Sequence, residues 1–131
     1  MLGRNFIENF DYNNIKLFAP NKKTLDLKYF NQIYEYLSKN KIDSVLHCAA
    51  IVGGIHDNIM RPADYLVKNI EINKNTILAS KKAGIKNFLN FGCSCIYPKD
   101  YSKNLSEEMV FNGNLEPTNE GYALSKLFSI K

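Results

Sequence analysis

Two short apolar runs, at 43–50 and 85–92, are separated by a stretch whose apolar residues recur at helical spacing, and this order admits few folds. The first run contains Ser44-Val45-Leu46-His47-Cys48-Ala49-Ala50 and the second Phe88-Leu89-Asn90-Phe91. Between them Tyr65, Leu66, Ile70, Ile72, Ile77 and Leu78 predict a helix over 62–83, with Pro62 suited to its first turn and Gly84 to its stop. Upstream the alternation repeats. Phe6, Ile7 and Phe10 predict a helix over 4–10, and the run 15–19, halted by Pro20, predicts a strand. Leu27, Phe30, Ile33, Tyr34 and Leu37 form a helical stripe over 27–38. A Gly53-Gly54 loop follows the strand at 43–50. Residues 99–119 are polar and turn-rich, and a further helix begins at Gly121. Strands separated by helices predict an α/β chain with a doubly wound parallel sheet and helices on both faces. Such sheets bind ligands at the C-terminal ends of their strands, which here means the loops after Ala50 and Gly92.

Composition narrows the class. With 131 residues and 45% apolar content, the chain fits a single domain over 1–131. No apolar run approaches the roughly 20 residues of a membrane span, and the N-terminus has no signal-like apolar stretch, so no membrane partner is expected. Cys48, Cys93 and Cys95 are an odd number of cysteines in a short chain, which suits a reduced, cytoplasmic setting. The net charge of +4 is dispersed, Lys22-Lys23 and Lys81-Lys82 being the densest groups, which argues against nucleic-acid binding.

The chemistry lies in two segments. Gly92-Cys93-Ser94-Cys95-Ile96-Tyr97-Pro98-Lys99 is a turn of small residues directly after a strand. Tyr122-Ala123-Leu124-Ser125-Lys126 sets a phenol and an ammonium four residues apart, on one helix face. A lysine beside a tyrosine is expected to lower the phenol pKa and make the hydroxyl a usable acid or base. A polar turn at a strand end, facing such a tyrosine, suits the reduction or oxidation of a carbonyl. Metal or redox work by Cys93 and Cys95 is the rival reading. Without a second Cys/His pair they cannot fill four zinc positions, so no metal site is expected. Cys48 reads as an apolar strand residue and His47 as a structural one.

These residues, in this order, resemble the extended short-chain dehydrogenase/reductase family, and within it the enzymes that epimerise and reduce GDP-linked 4-keto-6-deoxy sugars. The resemblance rests on Leu46 through Ile55, on Asn58, Pro62-Ala63-Asp64 and Asn69, and on Ser94 through Lys99. Leu115-Glu116-Pro117-Thr118-Asn119-Glu120 and Tyr122-Ala123 complete it. It implies a partial Rossmann-like sheet, NADP(H) as cofactor, a GDP-sugar substrate and a homodimer in the full-length enzyme. The implied reaction converts GDP-4-keto-6-deoxymannose to GDP-L-fucose. Tyr122 would protonate the alkoxide left by reduction, and Lys126 would hold the nicotinamide ribose. Cys95 matches the acid/base cysteine of the preceding epimerisation, whose histidine partner is expected beyond Lys131. Cofactor contacts are expected at Gly3, Lys22 or Lys23, Asp26, Leu27, Ala49 and Ala50, besides Tyr122 and Lys126. Substrate contacts are expected at Val52, Gly53, Cys93 and Ser94.

Two residues depart from the pattern. Cys93 stands where a small hydroxyl residue would hydrogen-bond the substrate ketone, and a thiol is a weak donor. Gly121 stands where a proline commonly precedes the tyrosine, which is expected to loosen entry to the helix. The first strand, the earlier glycines of a dinucleotide turn and a C-terminal substrate domain are expected to belong to a longer protein. On that expectation the isolated chain binds NADPH weakly or not at all, lacks activity alone, and aggregates or oligomerises through unpaired strand edges. A related NAD(P)-dependent nucleotide-sugar epimerase or dehydratase, and a non-catalytic remnant of one, remain open alternatives.

Overall fold

A computed structural model describes residues 2–11, 13–102 and 104–131. The described elements, in chain order, are helix α1 (Leu2–Asn9), helix α2 (Phe30–Lys39), strand β1 (Ser44–His47), helix α3 (Ile55–Met60), helix α4 (Pro62–Lys82), strand β2 (Asn87–Asn90) and helix α5 (Glu120–Phe128). Strands β1 and β2 pair as a small parallel sheet, in an α/β arrangement of Rossmann type. The chain divides into two compact units, residues 1–49 with 75–89, and residues 50–74 with 90–131.

The first unit is built on apolar burial. Ile33 and Leu37 of α2 pack with Leu25 and Ala79, and Leu27, Phe30, Tyr34, Val45 and Ile85 close around them. Removing a side chain such as Ile33, only 1% exposed, from water contributes roughly 1.5–3 kcal/mol. The last residues of α4 end in a Schellman motif, with Ile85 N–H on Ser80 O at 3.0 Å and Gly84 N–H on Lys81 O at 3.1 Å. Gly84 takes the left-handed φ of +74° that this stop requires. Helix α1 carries the expected stripe, with Phe6 and Phe10 stacked at 4.5 Å.

Residues 15–19 correct the sequence reading. They form no strand, and Ile15 and Leu17 are 53% and 39% exposed. An apolar run becomes a strand only where a neighbour takes its backbone hydrogen bonds, and the described sheet pairs β1 with β2 alone.

The second unit relies on polar anchors. The amide of Asn69 on α4 grips Ile51 at both backbone groups, accepting from its N–H at 2.7 Å and donating to its C=O at 3.0 Å. Asn58 on α3 donates to the carbonyls of Gly53 and Gly54 at 3.1 and 3.0 Å. Helix α3 falls between the Gly53-Gly54 loop and the helix predicted from Pro62, where the sequence reading assigned no element. Its single short turn and a half is too brief for hydrophobic periodicity to register.

Candidate active site

Helix α5 carries the tyrosine and lysine. Glu120 in its first turn and Lys126 in its last suit the helix dipole, while Ala123, Ser125, Lys126 and Leu127 form its buried face. Asn73 of α4 fixes the helix by donating to Ser125 O at 3.1 Å. Gly121 is fixed by close approach, since a methyl group there would collide with the carbonyl oxygen of Pro62. The departure from proline at this position therefore reflects a backbone-to-backbone contact, and the entry to α5 is tight where the sequence suggested looseness.

Lys126 is 4% exposed, and its ammonium donates to Phe91 O at 2.9 Å. The same ammonium lies over the Tyr122 ring, 5.9 Å from its centroid, at the outer reach of a cation–π contact. Ser129 Oγ donates to Lys126 O and in turn accepts from the Asn90 amide, both at 2.8 Å. The end of β2 and the residue after it are thus tied to the C-terminal turn of α5 at two points.

The cysteine turn forms the second half of the site. Cys93 is extended (φ −155°, ψ 161°) and the chain then tightens into a 3₁₀ turn over Ser94–Ile96. This brings Cys93 Sγ and Cys95 Sγ to 2.7 Å, both partly buried as free thiols. The hydrogen bond from Cys95 lowers the Cys93 pKa to about 7, helped by the N–H groups of Cys95 and Ile96 and by the charge of Lys126, while burial opposes the shift. The same bond, together with burial and the Cys93 charge, pushes the Cys95 thiol up. The pair thus favours the thiolate at Cys93 and the thiol at Cys95.

Tyr122 departs from expectation. Burial first, then the charges of Cys93 and Cys95, push its phenol up to about 12, against the lowering anticipated from Lys126. The ammonium is committed to Phe91 O and sits over the ring face, so its field does not offset desolvation at the hydroxyl.

In the second unit the structure thus brings together Cys93, Cys95, Tyr122 and Lys126, with Ser94 exposed on the same turn. Ala50, Val52 and Gly53 lie in that unit on the segment after β1. Gly53 makes room for the Tyr65 hydroxyl, with which a methyl group would collide, whereas Gly54 faces open space. Gly3, Lys22, Asp26, Leu27 and Ala49 lie in the first unit. Gly3 comes close to Cys48, and a methyl group in place of its hydrogen would lie 3.5 Å from Cys48 Cβ. Asp26 caps a turn by accepting from Lys28 N–H at 3.1 Å, Leu27 joins the apolar core, and Lys22 is exposed on a turn closed by Asn21. His47 is buried at the end of β1, its ring 5.9 Å from that of Phe88.

Sequence reasoning missed Asn73 as the residue that positions α5. Its signal was the four-residue spacing from Asn69, which sets the two amides on one face of α4. It also missed Asp57, whose carboxylate accepts from Arg61 Nε at 2.9 Å and from the Tyr65 hydroxyl, and which Arg61 holds below the usual carboxylate range.

Comparison with known proteins identifies the family. The chain is 42% identical to GDP-L-colitose synthase of Yersinia pseudotuberculosis over 131 residues, all of this chain and 42% of that protein. It is 36% identical to GDP-L-fucose synthase of Sinorhizobium fredii over the same 131 residues and the same 42% of the relative. The chain therefore spans about two fifths of the length of these curated relatives. Among solved structures, GDP-mannoheptose C4 reductase from Campylobacter jejuni with NADP bound superposes with a TM-score of 0.80 at 26% identity, covering 96% of this chain and 39% of that one. All 131 residues match a single family model. That match over the whole chain places this protein in the NAD dependent epimerase/dehydratase family.

Proposed function

We propose that this chain forms part of an NADP(H)-dependent epimerase-reductase acting on a GDP-linked 4-keto sugar of the fucose or colitose type. The observation that supports this best is the gathering of Tyr122, Lys126, Cys93 and Cys95 in one compact unit, with the lysine already oriented by Phe91 O. NADPH, when bound, supplies the hydride that reduces the ketone. Of the three ammonium donors of Lys126, one is taken by Phe91 O, which leaves two for the paired hydroxyls of a ribose.

Tyr122, with its pKa pushed up to about 12, keeps its proton at neutral pH and works as the acid that neutralises the alkoxide. Cys93 as a thiolate accepts hydrogen bonds and donates none, so polarising the ketone falls to the Tyr122 hydroxyl. Cys95, held protonated, is the proton donor to the carbon acidified by the neighbouring ketone. Gly54 gives the substrate close access to backbone in the segment after β1.

The test is NADPH oxidation by the complete enzyme that carries this chain, with GDP-4-keto-6-deoxymannose as substrate. Tyr122→Phe is expected to lower kcat by roughly 10²–10⁴-fold with the circular dichroism spectrum unchanged. Unchanged kcat in that variant, or turnover confined to sugars carried on another nucleotide, would overturn the reading.

A further inference from the structure

The Cys93–Cys95 pair has a chemistry that carbonyl reduction does not use. The two sulfurs stand 2.7 Å apart, closer than unbonded sulfurs ordinarily pack, on a turn that leaves both partly accessible. With one residue between them, their α-carbons stay within roughly 7 Å, about the limit of what a disulfide can bridge. Among the described residues no group of three His, Cys, Asp or Glu side chains could hold a metal ion, so the ligand set that would explain the pair as a metal site is lacking. Cys48 lies in the other compact unit and serves as an internal comparison.

We propose that Cys93 and Cys95 form a thiol–disulfide exchange site, with Cys93 as the attacking thiol, Cys95 as the resolving thiol, and a small disulfide such as oxidised glutathione as the oxidant. Cys93 thiolate attacks one sulfur of the oxidant, forming a mixed disulfide and releasing one glutathione thiolate. Cys95 then gives up its proton and attacks Cys93 Sγ, closing the Cys93–Cys95 disulfide and expelling the second glutathione thiolate. Two protein sulfurs are oxidised and one glutathione disulfide is reduced; the proton of Cys95 passes to one glutathione thiolate and a proton from water to the other.

Cys93 has the features that activate a nucleophilic thiol. The hydrogen bond from Cys95 first, then the Cys95 N–H, the charge of Lys126 and the Ile96 N–H, favour its thiolate, with a pKa of about 7. Ring closure removes both the thiolate and the proton of the pair, so the oxidised form lacks the acid assigned to Cys95. The exchange itself requires neither a nucleotide sugar nor a cofactor, and its outcome is independent of the reductase reading.

The test equilibrates the reduced chain with mixtures of reduced and oxidised glutathione, quenches with acid, alkylates with N-ethylmaleimide and weighs the tryptic peptide 87–99, which holds both cysteines. The expected result is loss of two hydrogens without alkylation in that peptide, while the Cys48 peptide of the same sample stays alkylated. Cys95→Ser is expected to trap glutathione on Cys93, and Cys93→Ser to slow modification at Cys95 by roughly tenfold or more. Two alkyl groups on peptide 87–99 at every glutathione ratio would overturn the proposal. So would glutathione on both cysteines without ring closure, or an unslowed Cys93→Ser variant.

Discussion

In the first unit the most deeply buried large side chain is Ile33, packed among Leu25, Leu37 and Ala79. In the second unit the corresponding places are held by Asn69, Asn73 and Ser125. Apolar packing is non-directional and tolerates small shifts, so it suits a part whose task is to be compact. Amide anchors fix individual backbone atoms, because a buried amide is stable only with its partners at hydrogen-bond distance. The candidate chemistry sits where amide anchors are added to apolar packing by Tyr65, Ile72, Ile96, Ala123 and Leu127. Asn73 and Pro62 set α5, and Asn69 and Asn58 set the segment after β1.

This contrast can be broken by experiment. Ile33→Ala should produce the largest loss of stability, about 2–5 kcal/mol by chemical denaturation, through the cavity it leaves. Asn69→Leu should cost less, about 1–3 kcal/mol, by stranding the N–H and C=O of Ile51. Asn69→Asp keeps the acceptor for the Ile51 N–H and should recover part of that loss. If Asn69→Leu proves neutral, the second unit is not held by its anchors and the comparison fails. Gly121→Ala should cost about 1–3 kcal/mol, since the Pro62 backbone must move, and should also lower activity by shifting Tyr122.

The smallest and most local effect concerns pH. The Cys93 pKa is lowered to about 7, so its thiolate fraction rises as pH climbs toward that value and levels off above it. Maleimide labelling of Cys93 should follow this curve, increasing about tenfold per unit on the acid side. Cys95, shifted in the opposite direction, should label only at distinctly higher pH. Equal pH profiles for the two thiols would show that they do not share a proton.

Much of the fold was legible because it is written in periodicity. Helices α1, α2 and α4 and strands β1 and β2 all fall where apolar spacing predicted them, with Gly84 at the predicted stop. The run 15–19 misled because local propensity cannot report whether a partner strand exists. Helix α3 was hidden because it is short and owes its position to Asn58. At the site, the spacing of Tyr122 and Lys126 revealed the pair but not its electrostatics. The phenol responds to burial and to two sulfurs 27 and 29 residues earlier in the chain, and no local pattern carries that information. The meaning of Gly121 was likewise out of reach, because it depends on the backbone of Pro62 arriving from a distant helix.

The bond from Lys126 to Phe91 O has a consequence for how tightly a ligand can be held. A lysine side chain free in solvent gives up as much as about 2 kcal/mol of rotational freedom when it is immobilised. Here that freedom is lost during folding, when the ammonium docks on the carbonyl and Ser129 and Asn90 steady the turn beneath it. If Lys126 holds a ribose as proposed, the ribose meets donors that are already stationary, so its binding need not bear the entropy of ordering them. Truncating Ser129 would remove a tie on the Lys126 backbone while leaving the bond of its ammonium to Phe91 O in place, so the ordering of the ammonium should persist.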